Sequence, residues 1–139
     1  MLVRECLRKA PVTVPRQCTL KEAAGLMRDH GVGALLVLSG DQLVGIVTDR
    51  DLALRGAGRG LAPDELIEEV MTGTPITIQG SDDLLDAFGV LRRAGVRRLP
   101  VLEESEIAGI VTVDDLLVWV VGELAAVATP VADSVLRKS

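Results

Sequence analysis

Two short segments carry a hydroxyl and a carboxylate three residues apart: Thr48 with Asp51 in GIVTDRD, and Thr112 with Asp115 in GIVTVDD. In each, a β-type apolar run ends at the threonine and a helical pattern follows. A helix start offers unpaired N–H groups and the positive end of the helix dipole, a setting that suits phosphate. The threonine hydroxyl can cap that helix or donate to a phosphate oxygen. An ionised aspartate can accept two hydrogen bonds from vicinal ribose hydroxyls. Both residue types are also preferred helix caps with no ligand present. Spacing alone therefore leaves binding and capping open.

Arg92, Arg93, Arg97 and Arg98 crowd together in a chain whose net charge is −5. Guanidinium groups match phosphate in a bidentate way. Arg92 and Arg93 read as a solvated helix face. Arg97 and Arg98 directly precede a Leu-Pro-Val strand, and read either as phosphate contacts or as ion-pair partners of Glu103 or Glu104. The remaining candidates are poor. His30 is the single histidine and ends a helix. Cys6 and Cys18 make no CxxC pair, so a metal site lacks material. Asp82, Asp83 and Asp86 form a helix-start acidic group. GAGRG at 56–60 has no P-loop lysine. Trp119 reads as a core or dimer anchor. With no nucleophile–base pair or metal set visible, the expectation is a protein that is not an enzyme and requires no cofactor.

The elements that must position these groups come as a repeat. Shifted by 64 residues, positions 11–54 lie on 75–118 without a gap. Pro11/Pro75, Thr13/Thr77, Leu20/Leu84, Ala23/Ala87, Gly31/Gly95 and Val32/Val96 coincide, and GIVTDRD falls on GIVTVDD. Upstream, Val3-Arg4-Glu5-Cys6-Leu7 matches Ile67-Glu68-Glu69-Val70-Met71. Each copy begins with a short strand, at 12–14 or 76–78. An amphipathic helix follows, with Leu20, Ala23, Ala24 and Met27 or Leu84, Ala87, Phe88 and Leu91 on one face. Thr19 and Glu22 have capping-box spacing. Gly31 and Gly95 stand where a C-cap glycine belongs. Two hairpin strands come next, 35–38 with 43–48 and 99–102 with 107–112, and then a second helix. The order is β-α-β-β-α, an α/β (α+β) fold in two copies.

A lone unit of about 60 residues buries only about 60% of its unfolded surface. The copies are therefore expected to pack on each other with pseudo-twofold symmetry. The expected boundaries are 1–62 and 63–122, with a linker at 56–62, a helix start at Pro63, and a helical tail over 123–139 broken at Pro130. Leu116, Leu117, Trp119, Val120 and Val121 put apolar groups on more than one side of the tail, which is either buried or a dimer surface. The two sites should differ in charge. Gly33 and Ala34 stand where the second copy has Arg97 and Arg98, and Arg50 stands opposite Asp114.

Composition narrows the function classes. Hydrophobic residues make up 48% of the 139, enough for a packed core, but aromatics only 1%, so base-stacking platforms are absent. An acidic balance disfavours binding to duplex nucleic acid. Two cysteines fit a reducing compartment. No secretory signal opens the chain, and no apolar run approaches the roughly 20 residues that span a bilayer. The expectation is a cytoplasmic protein without membrane insertion.

The tandem copies, the β-α-β-β-α order and the paired GIVTxxD blocks resemble a pair of cystathionine-β-synthase (CBS) domains, a Bateman module, over nearly the whole chain. The resemblance implies that Thr48 with Asp51, and Thr112 with Asp115, hold the phosphate and ribose of an adenosine-type ligand in the cleft between the repeats. In some members a basic residue at the place of Arg97 and Arg98 contacts ligand phosphate, and the family places the base against the strands around 12–14, 32–36, 76–78 and 96–101. Arg50 joins these as a candidate ligand residue. The implied ligand is AMP, ADP or ATP, with S-adenosylmethionine or NAD as further options. The implied role is a stand-alone regulatory sensor that pairs into homodimers and signals to a separate partner protein. Two rivals stand beside it: a ligand-free dimerisation or interaction module, and a small enzyme acting on nucleotides.

Overall fold

The computed structural model describes residues 1–138, the side chains at 129, 131–134, 137 and 138 apart. In the first repeat, β1 (Thr13–Pro15), α1 (Leu20–His30), β2 (Ala34–Ser39) and β3 (Gln42–Thr48) lead into α2 (Asp49–Asp51). A short strand β4 (Thr72–Gly73) follows the crossover. The second repeat then runs β5 (Ile78–Gln79), α3 (Leu84–Ala94), β6 (Arg98–Glu103), β7 (Glu106–Thr112) and α4 (Val113–Lys138). β1 pairs parallel with β2, which pairs antiparallel with β3; β5, β6 and β7 repeat this arrangement. β4 adds to the free edge of β3, so one sheet has four strands and the other three. The β-α-β-β-α order holds in both copies.

Local chemistry explains the helices. Thr19 Oγ1 accepts the Glu22 N–H at 3.1 Å and starts α1, while Gly31, at φ 63°, ends it. Gly95 ends α3 in the same left-handed conformation, which costs a glycine nothing. Leu20, Ala23 and Met27 are buried on α1, as are Leu84, Ala87 and Leu91 on α3. Ala24 is exposed, and Leu26 packs on the core instead. Both lie on the rim of the apolar stripe, where only the longer side chain reaches the sheet.

Two expected features differ. Pro63 starts no helix: the chain turns there and makes a single 3-10 turn at Ile67–Glu69. Its carbonyl accepts the Lys21 N–H at 3.0 Å, and that of Glu65 accepts the Leu20 N–H at 2.9 Å. These carbonyls satisfy the start of α1 and are not free for a helix of their own. The linker expected at 56–62 is instead structured. A wide π-type turn, Leu52–Gly56, continues α2, and a 3-10 turn, Ala57–Arg59, closes on Gly60. The break expected at Pro130 is also absent, since α4 runs through it. A proline deletes one N–H and crowds the carbonyl four residues back, a defect that this long helix absorbs.

The lead-in segments are exchanged. Val3 and Cys6 are buried in the core of the second repeat, with Leu99, Val101 and Val111. Ile67 and Val70 are buried in the core of the first, with Leu35, Val37 and Val47. Matching backbone bonds hold both crossings: Val3 N–H donates to Asp82 O at 2.9 Å, and Ile67 N–H to Cys18 O at 2.9 Å. The charges match the exchange. Arg4 donates to Glu103 at 2.9 Å, and Arg16 to Glu68 at 3.3 Å. An unexchanged chain would set Arg4 beside Arg16 and Glu68 beside Glu103, juxtaposing like charges. The glycines of the GIVT blocks make room for the crossing chains. A side chain at Gly45 would collide with Met71, and one at Gly109 with Leu7 at 2.9 Å.

The two hairpins differ in turn chemistry. Gly40 supplies the positive φ between β2 and β3, whereas Glu104 (φ 50°) and Ser105 (φ 72°) do so between β6 and β7. Two successive positive φ values are the type I′ pattern that favours Asn-Gly. Glu104→Asn combined with Ser105→Gly is expected to stabilise the fold by about 1 kcal/mol. A rise in the urea midpoint at unchanged slope checks this.

Candidate functional site

Both Thr–Asp pairs fold as reciprocal caps at a strand-to-helix junction. Thr48 Oγ1 accepts the Asp51 N–H at 3.1 Å, and Asp51 Oδ2 accepts the Thr48 N–H at 2.9 Å. In the second repeat Thr112 Oγ1 accepts the Asp115 N–H at 3.1 Å, and Asp115 Oδ2 accepts the Thr112 N–H at a longer 3.4 Å. Capping is thus satisfied at both places. Each box engages one carboxylate oxygen. At Asp51 the other, Oδ1, lies 3.9 Å from Arg55.

The pairs have different surroundings. Thr112 and Asp115 line a cleft of about 400 Å³ between the repeats. Opposite them the first repeat contributes Pro11, Val12 and the turn 31–34, while Ile110 adds an apolar patch from β7. Arg98 crosses the same cleft. It starts β6 opposite Thr112, and its Nη1 donates to Gly33 O in the other repeat at 2.8 Å. A methyl group at Gly33 would stand 3.3 Å from that guanidinium, so the glycine makes room for the crossing. Arg98 has no ion pair with Glu103, which is taken by Arg4.

Arg8 and Lys9 also line the cleft, and Lys9 Nζ donates to Gly31 O at 3.4 Å. Arg8, Lys9 and Arg98 thus share the lining of this cleft with Asp115, in a protein that is acidic overall. The pattern of the sequence does not mark Arg8 or Lys9. They precede β1, outside any periodic element, and reach the cleft because the lead-in crosses over.

The other sequence candidates lie elsewhere. Thr48 and Asp51 occupy the pseudo-twofold mate of this position and do not line this cleft. Arg50 is exposed and uses its N–H on Asp49 Oδ1 at 2.8 Å. Arg97 is exposed, with Asp114 at 3.9 Å. Arg97 lies just before β6 and does not line the cleft that Arg98 enters. The two cysteines are buried, and burial pushes both thiols up from their ordinary range. Among the described residues no group of three His, Cys, Asp or Glu could hold a metal ion, and no helix is long and apolar enough to cross a membrane.

Two intertwined β-α-β-β-α repeats around an interrepeat cleft define a paired-repeat module. Residues 3–57 and 67–122 each match the CBS domain, and the chain belongs to the CBS domain family. It is 34% identical over 116 residues to the CBS domain-containing protein YhcV of Bacillus subtilis, covering 84% of this chain and 83% of that one. The CBS domain pair of MJ0100, in complex with 5′-methylthioadenosine and S-adenosylmethionine, superposes with a TM-score of 0.78 at 27% identity, covering 88% of this chain and 98% of that one. The CBS domain protein PAE2072 from Pyrobaculum aerophilum, complexed with AMP, gives 0.76 at 25% identity, covering 83% and 89%.

Proposed function

We propose that this chain is a cytoplasmic regulatory module, not an enzyme, that binds an adenine nucleotide of the AMP, ADP or ATP type between its repeats. One observation carries the reading: Asp115, Thr112, the Val12–Val32–Ile110 apolar surface and the cations Arg8, Lys9 and Arg98 converge on one cleft. Asp115 accepts the ribose hydroxyls, the apolar surface takes the base, and the cations with Thr112 take phosphate. Neighbours bound to AMP or to S-adenosylmethionine support an adenosine-type ligand for this architecture. The module acts as a homodimer and signals to a separate protein. The ligand shifts that output by its difference in affinity between two states of the module.

Calorimetric titration with AMP, ADP, ATP, S-adenosylmethionine and NADH tests the reading. Saturable binding with a preference for phosphate-bearing ligands is expected. Arg98→Ala should weaken AMP about 10-fold or more but adenosine much less, because only the nucleotide carries the charge that Arg98 meets. Equal losses for both would place Arg98 away from phosphate. No binding by any of the five ligands would leave the Thr–Asp pairs as caps and favour a ligand-free interaction module.

A further inference from the structure

Arg8, Lys9 and Arg98 line the cleft beside a single carboxylate, Asp115. Among the described residues none of the three cations forms an ion pair, although the chain carries 20 aspartates and glutamates. Lys9 and Arg98 rest on carbonyls instead, those of Gly31 at 3.4 Å and Gly33 at 2.8 Å. Like charges gathered without counter-charges repel one another, and a bound anion relieves that cost.

The repeat supplies an internal comparison. Under the 64-residue shift Arg8 falls on Thr72, Lys9 on Gly73 and Arg98 on Ala34. Thr72 and Gly73 form β4, paired with Ile46 and Gly45 on the edge of β3. Arg8 and Lys9 belong to no strand, and the second sheet has three strands where the first has four. The fold thus accepts an uncharged edge strand at this place. The cations are an addition confined to the cleft of Asp115, and they lie on a stretch of chain left outside the sheet.

Depth orders the three. Arg98 is partly buried at the start of β6, opposite Thr112, whereas Arg8 and Lys9 are exposed. The carbonyls that hold Arg98 and Lys9 are two residues apart, no more than about 7 Å along the chain. A phosphate beside Thr112 meets Arg98. A second phosphate directed outward meets Lys9 and Arg8, and a monophosphate ends before it reaches them.

We infer that Arg8 and Lys9 select by phosphate number, so that the cleft prefers a nucleoside di- or triphosphate to the monophosphate. This rests on the adenine-nucleotide reading above and names which members of that class bind best. Calorimetric titration with AMP, ADP and ATP in the absence of magnesium tests it. ADP and ATP are expected to bind about 10-fold tighter than AMP, the gain from charge-assisted contacts to a further phosphate. Arg8→Met combined with Lys9→Met keeps the aliphatic stems and is expected to bring the three affinities together, chiefly by weakening ADP and ATP. Arg92→Met combined with Arg93→Met removes the same charge from an exposed helix face and should leave the preference intact. Urea midpoints near the wild-type value are expected for both double variants, since all four side chains are exposed. Failure of all three nucleotides to bind overturns the nucleotide reading and the selection with it. Binding of all three with AMP as tight as ADP keeps the reading and overturns the selection. A preference that survives the Arg8 and Lys9 substitutions, or falls equally with those of Arg92 and Arg93, overturns the assignment to these side chains.

Discussion

Asp115→Ala is expected to weaken adenine-nucleotide binding about 100-fold or more while lowering stability by only about 1 kcal/mol. Two hydrogen bonds from ribose hydroxyls to an ionised carboxylate together contribute about 3 kcal/mol, which sets the first figure. The lost cap sets the second. Asp51→Ala is the matched control, because it removes the same cap in the other repeat without touching the cleft that holds Arg98. The two variants should therefore lose similar stability and differ sharply in affinity. Trp119 makes the measurement convenient. It is the chain's single tryptophan, there is no tyrosine, and it stands one turn beyond Asp115 on α4. Titration of its emission alongside calorimetry reads both binding and fold. Equal affinity losses in the two variants would show that stability, not ribose contact, connects Asp115 to the ligand. Unchanged affinity in Asp115→Ala would remove the carboxylate from the site.

Much of this architecture is legible in the sequence, because the chain states its pattern twice. The short apolar strands, the C-cap glycines and the Thr–Asp spacing are local signals, and the structure keeps them. What escapes is whatever depends on the crossover. Val3–Leu7 and Ile67–Met71 share a pattern, so periodicity marks both as structured but not which core receives each. The charge pairs Arg4–Glu103 and Arg16–Glu68 carry that information across long chain separations. The cleft follows the same rule. Asp115 and Arg98 are visible as candidates, whereas Arg8 and Lys9 become cleft residues only once the lead-in is placed. Local pattern does not separate Arg98 from Arg97: β6 begins at Arg98, and Arg97 stands just outside it. At Pro130 and Pro63, a strong local signal yields to context: a long helix absorbs the first, and α1 claims the carbonyl of the second.

Ile67→Ala is expected to destabilise the whole module by about 2–4 kcal/mol, the cost of emptying a fully buried isoleucine site. The informative part is where the loss appears. Ile67 precedes the second repeat in the chain but fills the core of the first. Trp119 reports on the second. If each repeat unfolded by itself, the substitution would shift the dichroism signal and leave much of the Trp119 transition in place. The exchange argues otherwise. Loss of the first core frees the segment around Ile67, which leads directly into β4 and β5, while Val3 and Cys6 anchor the first repeat's chain inside the second. Neither repeat can open without pulling a strand or plug from the other. The two probes are therefore expected to give one coincident urea transition in wild type and variant alike, displaced to lower urea in the variant at unchanged slope. Separated midpoints, with Trp119 unmoved, would mean that the exchanged segments dock without coupling the repeats. Coincident midpoints make the module a single cooperative unit. In such a unit, ligand contacts at Asp115 and Arg98 are felt in both repeats, and occupancy of one cleft can bias the shape of the whole.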